Sequence, residues 1–283
     1  ARDEQAGRAS GSDAEAPHLS AEVRTMIPVV LLDQDNWLRT GRASVTSAPP
    51  PVVGYSLDAL TDGVQAIPYR GVGIATKDIE ITLSEPSTLA FLSIHDVRMY
   101  GGDIASISID DYRDGAYSTR AVIPGREVEV SYGSVGAFSV FRGGVTRVRI
   151  RISGPSAAEF SIGEICLGKP TFIPDLGVRV PPRTISRSVA WNTVENGPWR
   201  TKLAEPRRTF VLDFPPGREE YLEELMLASE GGLRPVSMLK DWTGSHAAIH
   251  GHFSDEYSST LELGGIYQGR SLQVQESMRP LRG

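Results

Sequence analysis

Between Asp78 and Ser153 apolar and polar positions alternate with a period of two, in one short segment after another. DIEITLS (78–84), TLAFLSI (88–94), ASISIDDY (105–112), REVEVSY (126–132), AFSVFRG (137–143) and TRVRIRIS (146–153) each present one apolar face and one polar face, the pattern of half-buried strands. Turn chemistry separates them at Glu85-Pro86-Ser87, Gly101-Gly102-Asp103, Asp114-Gly115 and Gly143-Gly144. No helical stretch of ten residues intervenes, so the sheet is predicted to be largely antiparallel. Short strands at this spacing indicate a β-sandwich or jelly roll. EFSIGEICLGKP (159–170) reads as one more alternating strand that closes the sandwich before prolines break the chain. In TRVRIRIS, Arg147, Arg149 and Arg151 lie opposite the valine and isoleucines, as a solvated or partner-facing stripe.

The pattern then changes. Residues 169–184 carry four prolines and little periodicity, a linker. Beyond it, RRTFVLDFP (207–215) reads as a strand, and Tyr221, Leu222, Leu225 and Met226 share one face of a predicted helix over 217–232. Glu219 and Glu220 occupy its first turn and Gly231-Gly232 its end. Strand-like segments follow at 234–241, 247–254, 259–269 and 270–277. The expected organisation is a polar arm (1–26), a β-sandwich (27–168), the linker (169–184) and an α+β domain (185–283) with one helix on a small antiparallel sheet. The arm, rich in Ala, Ser, Gly and acids, has nothing of its own to pack on, and neighbouring subunits would hold it most easily.

Composition narrows the function classes. The chain has 283 residues, 40% of them apolar and 23% charged, with 29 basic against 35 acidic residues and a net charge of −6. That balance offers no basic field for a phosphate backbone, so nucleic acid is not an expected partner. No run approaches the ~20 apolar residues of a membrane span, and the first twenty residues hold no hydrophobic segment that would direct secretion. Synthesis in the cytosol is expected. The single Cys166 sits in an apolar strand and reads as a small buried hydrophobe.

Candidate chemistry is sparse. G-x-S-x-G, H-E-x-x-H and P-loop signatures are absent. His246, His250 and His252 would share one face of a strand, but His246 and His250 would stand ~13 Å apart at ~3.3 Å per residue, too far to share an ion on an extended chain. His95-Asp96 ends an apolar strand without a recognisable nucleophile, and the expected role is to satisfy the loop that follows. Asp110, Asp111 and Asp114 offer hard oxygen ligands without calcium-loop spacing, and a turn with solvated carboxylates is expected. No catalytic, metal or cofactor-binding residue is assigned, and the chain is expected not to be an enzyme. Of the four tryptophans, Trp37 opens the first domain, while Trp191, Trp199 and Trp242 lie in the second. Trp191, Trp199, Arg200 and Trp242 are candidate interface anchors, since Trp and Arg concentrate at protein contacts.

These features resemble the structural tail proteins of tailed bacteriophages and related phage-like particles. In the first domain the likeness is to a galactose-binding-like (discoidin-type) sandwich, carried by Asn36-Trp37, DIEITLS followed by TLAFLSIHD, and FSIGEICLGKP, in that order. In the second, RRTFVLDF, REEYLEELMLAS, GLRPVSML and SLQVQES resemble the sheet-plus-helix unit of tail-tube and distal-tail proteins. The resemblance implies a virion tail component made in the bacterial host, joined to copies of itself in a ring or other homo-oligomer and to other tail proteins, with sheets extended from subunit to subunit. The alternative is a carbohydrate-binding module whose sandwich loops hold a host surface glycan, with Tyr100 and Tyr112 as candidate contacts.

Overall fold

The computed structural model describes residues 28–62, 67–172, 177–179, 188–193, 197–202, 208–214, 219–241, 245–253, 258–261 and 268–277. The protein is mainly β with antiparallel pairing. The arm 1–26, most of the linker 169–184 and Trp242 lie outside the described residues, as do the side chains of Trp191, Trp199 and Arg200.

Two strands of 19 residues each, Lys77–His95 and Val135–Ser153, form the spine of the first half. They pair antiparallel from Lys77 opposite Ile152 to Ile94 opposite Val135. The periodicity predicted four strands here, with turns at 85–87 and 143–144. Instead each chain runs on through its turn-like residues, and the register shifts between Thr82 and Ser87 and again between Ser87 and Leu89. The two irregularities face each other, with Ser87 opposite Val145 and Gly144 at φ 76°. Pro86 cannot donate to the ladder, so a bulge is where a sheet accepts it. Pairing resumes beyond it, with Leu89 opposite Val140.

The buried face of this sheet, with Ile79, Ile81, Ile107, Ile109, Val148, Ile150 and Ile152, packs with Trp37, Leu60, Tyr69, Phe160 and Ile162 into the first core. On the opposite face Arg147 is exposed, as expected of a solvated stripe, while Arg151 donates to Asp78 at 2.8 Å and Arg149 donates to Asp110 at 2.7 Å. Asp111, opposite Val148 on the buried face, accepts from Arg120 at 2.6 Å. Asp110 and Asp111 are therefore buried, paired members of strand Ser106–Arg113 and not solvated turn carboxylates. Only Asp114, at φ 51° beside Gly115 at φ 81°, makes the expected tight hairpin turn.

Two further predictions are corrected. Residues 126–132 are not a strand but lie in and just after the short helix Gly125–Val130. Of its two valines only Val128 is buried while Val130 is exposed, so the alternation does not describe a sheet face. Pro124 leads into the helix, and Tyr132 and Gly133 leave it in left-handed conformations, with Gly133 N–H donating to the Val128 carbonyl at 2.8 Å. The closing segment is likewise two strands. Glu159–Ile162 pairs with Tyr69–Gly71 and Arg98–Tyr100, whereas Glu164–Gly168 pairs with the end of Lys77–His95. The chain changes sheets at Gly163, whose N–H donates to the His95 carbonyl at 2.8 Å.

In the second half, Thr209–Phe214, Val236–Asp241, Ser245–Phe253 and Gln268–Glu276 pair antiparallel. Helix Glu219–Ala228 lays Leu222, Leu225 and Met226 on their core, as its periodicity predicts. The same core takes Val30 and Leu32, because strand Val29–Leu32 pairs with Val236–Asp241. Its alternate residues Val29 and Leu31 join Phe91, Cys166, Leu239 and Ala248 in a third cluster at the seam between the halves. Strands Ser188–Thr193 and Gly197–Lys202 pair with each other as a hairpin and, among the described residues, with no other strand.

Candidate functional site

An open cleft of about 950 Å³ lies where strand Arg98–Tyr100, helix Gly125–Val130 and the segment around Arg70 come together. Local backbone fixes its walls. A Cβ on Gly125 would stand 1.7 Å from the Ile104 carbonyl oxygen, so only glycine lets the helix start this close to the opposite loop. Asp96, at φ 54°, turns its carboxylate to Arg98, which donates from Nε at 2.9 Å and from Nη2 at 3.1 Å. The pair is bidentate, and the Asp96 side chain is 2% exposed, so the arginine is held rigidly at the cleft wall.

Three tyrosines line the cleft, and each is a sequence neighbour of a glycine in a positive-φ conformation. These pairs are Gly54-Tyr55, Tyr100-Gly101 and Tyr132-Gly133, with glycine φ values of 92°, 89° and 76°. Tyr100 and Tyr132 are exposed. Arg70 lies between two of the rings, its guanidinium carbon 4.2 Å from the Tyr100 centroid and 5.8 Å from that of Tyr55. It also donates from Nε to Glu159 at 2.8 Å. Hydrogen bonding to Tyr55 first, and then to Glu159, raises the Arg70 pKa above its ordinary value. Tyr100 and Ser161 share a hydroxyl–hydroxyl hydrogen bond of 3.2 Å. Asp103, Arg126 and Glu129 are exposed groups in the lining.

The arrangement suits the binding of a small ligand. It offers aromatic faces, a fixed cation and a few hydroxyls and carboxylates around a concave space, the usual composition of a small-ligand site.

Of the residues singled out by sequence, Asp96 and Tyr100 fall in this cleft. Tyr112 does not; its ring stacks edgewise on Tyr117 at 5.0 Å, with Arg147 5.2 Å away, on the ion-paired face of the sheet. Trp37 is a core residue, and Asn36 caps its helix by accepting from Leu38 N–H at 3.2 Å. Trp191 stands opposite Trp199, and Ala190 opposite Arg200, in the register of the hairpin. The three strand histidines part company. His246 meets Glu127 at 3.1 Å, His252 lies 3.2 Å from the Gly232 carbonyl oxygen, and His250 is buried against Ser237 at 2.8 Å. Burial pushes the His250 pKa down to about 3 and the Cys166 thiol pKa well above its usual range. Sequence reasoning missed Tyr55, Arg70, Tyr132 and Glu159, and the adjoining Tyr and Gly at three loops was the signal available for the tyrosines.

No protein-family model matches the chain, and no curated protein matches it. Among solved structures, it is similar to the family 32 carbohydrate-binding module of NanJ from C. perfringens in complex with galactose. Identity is 14%, over 50% of this chain and 98% of that one, with a TM-score of 0.35. A module from a family 31 glycoside hydrolase of Clostridium perfringens is 14% identical over 45% of this chain and 94% of its own, with a TM-score of 0.33. A Ruminococcus gnavus family 29 fucosidase in complex with fucose is 14% identical over 50% of this chain, with a TM-score of 0.38. The match spans 28% of the fucosidase's length.

Proposed function

We propose that the first half of the protein is a carbohydrate-binding β-sandwich whose Tyr55–Arg70–Tyr100–Tyr132 cleft holds a glycan without turning it over. The observation that carries this reading is Arg70, stacked on Tyr100 and paired with Glu159 inside an open, tyrosine-lined cleft. Sugar rings present C–H faces that pack on aromatic rings and hydroxyls that pair with fixed charged groups. Rings and guanidinium are already positioned, so little ordering opposes binding. The full chain is to be screened on a glycan array, and its best ligand titrated by calorimetry against Tyr100→Ala and Arg70→Met. Each substitution is expected to weaken binding at least about tenfold, the scale of an aromatic or arginine anchor. No bound glycan, or binding that survives both substitutions, rejects the reading.

A second reading, a building block of a phage-like tail, has one observation in its favour. The hairpin of Ser188–Thr193 and Gly197–Lys202 bonds to no other described strand, and a lone two-stranded hairpin is marginal in water. A neighbouring copy or another tail protein would give it a surface. Native mass spectrometry at high concentration decides: a ring-sized homo-oligomer supports the tail role, and a strict monomer opposes it.

A further inference from the structure

At the seam between the two halves, four strands converge on a buried polar cluster. His95 comes from the end of Lys77–His95, Cys166 from Glu164–Gly168, Ser237 from Val236–Asp241 and His250 from Ser245–Phe253. His95 is 0% exposed, Cys166 1% and His250 3%. Their potential ligand atoms lie within 4.8 Å of one another. Cys166 Sγ is 3.6 Å from His250 Nδ1, and Ser237 Oγ is 2.8 Å from that nitrogen and 3.4 Å from His95 Nε2.

We propose that His95, Cys166 and His250 hold one Zn²⁺ ion, with a water as its fourth ligand, that ties the first sandwich to the second sheet. Tetrahedral zinc with Zn–S of about 2.3 Å and Zn–N of about 2.0–2.1 Å places its sulfur and nitrogen ligands roughly 3.5 Å apart. The Cys166–His250 separation of 3.6 Å already has that value. One thiolate and two imidazoles form the donor set that selects zinc over the hard cations calcium and magnesium. Ligation through His250 Nδ1, the nitrogen beside Cys166 Sγ, takes the place of that nitrogen's contact with the Ser237 hydroxyl. Binding exchanges the thiol proton of Cys166 for the metal: the S–H bond breaks, the proton leaves to solvent and an S–Zn bond forms. With all three ligands buried, the ion enters as the two halves close on each other, so metal uptake accompanies folding.

The test uses the full chain, stripped of metal in denaturant with a chelator and refolded with Co²⁺, whose spectrum reports its ligands. About one ion per chain is expected, with the visible bands of a tetrahedral site and a near-ultraviolet thiolate-to-cobalt charge-transfer band. Zn²⁺ should displace the cobalt and raise the unfolding temperature in proportion to the logarithm of its free concentration. In Cys166→Ala, which replaces a buried thiol by a small apolar group, the charge-transfer band should vanish. Should that variant not fold, the band in the unsubstituted protein is decisive by itself. A protein that refolds fully and takes up less than about a tenth of an ion per chain, or whose cobalt spectrum lacks a sulfur band, is not a zinc protein. The cluster is then a hydrogen-bonded polar network.

Discussion

Arg70–Glu159 in the cleft and Arg208–Glu276 near the seam have the same nitrogen–oxygen distance, 2.7 Å, and opposite surroundings. The cleft pair is 30% and 38% exposed, the other 10% and 1%. Water around the first leaves its net contribution small and its donors within reach of a ligand. Around the second, desolvation turns the same contact into a structural requirement, since Arg208 also donates to the Ala248 carbonyl at 2.8 Å and its own N–H donates to Glu276 at 3.0 Å. Distance alone does not distinguish a recognition site from a structural clamp. Exposure does.

The contrast predicts a graded series. Arg208→Ala should cost about 3–5 kcal/mol of folding stability, the cost of leaving a buried carboxylate without its guanidinium. Chemical denaturation reads this, and glycan affinity per folded molecule should not change. A fall in affinity would mean that cleft and seam are coupled.

Next in size is an alkaline effect beneath the cleft. Tyr69 is fully buried and donates to the Pro49 carbonyl, and burial pushes its pKa up to about 12. An unfolded tyrosine ionises near ~10. The folded state therefore holds its proton where the unfolded state has lost it, and stability, complete below pH ~10, should fall by about 2–3 kcal/mol as pH rises to ~12. Tyr69→Phe should flatten that limb of the stability–pH curve. An unchanged slope would assign it to other groups, such as Tyr117, whose pKa is also raised to about 12.

Smaller still, Glu159→Gln should change stability by no more than about 1 kcal/mol while altering glycan affinity. Tyr100→Ala should leave stability within about 0.5 kcal/mol and still remove most of the binding, which calorimetry on the folded variant checks. If Tyr100→Ala unfolds the protein instead, that ring belongs to the scaffold.

Period-two alternation gave the β character, the antiparallel pairing and most strand positions, because one-sided burial writes itself directly into the sequence. It failed where burial was two-sided or the chain changed partners. Val29–Leu32 is buried at every position, so it carries no alternation, and Glu164–Gly168 merges in sequence with the strand before it although it belongs to another sheet. Residues 126–132 show the reverse error, an alternation without a sheet. Asp110 and Asp111 misled because a buried carboxylate and a solvated one look alike until the arginine across the sheet is placed. The cleft was legible only in Asp96 and Tyr100, since Tyr55, Arg70 and Glu159 come together through tertiary folding from segments far apart in sequence.

Strand Val29–Leu32 lies between Val236–Asp241 and Thr171–Phe172. Its partner Val236–Asp241 follows some two hundred residues later in the chain. Throughout synthesis an all-apolar tetrapeptide waits for its place, and such distant pairing slows folding. Trimming the chain near residue 30 would thus damage the second half of the protein, far from the cut in sequence.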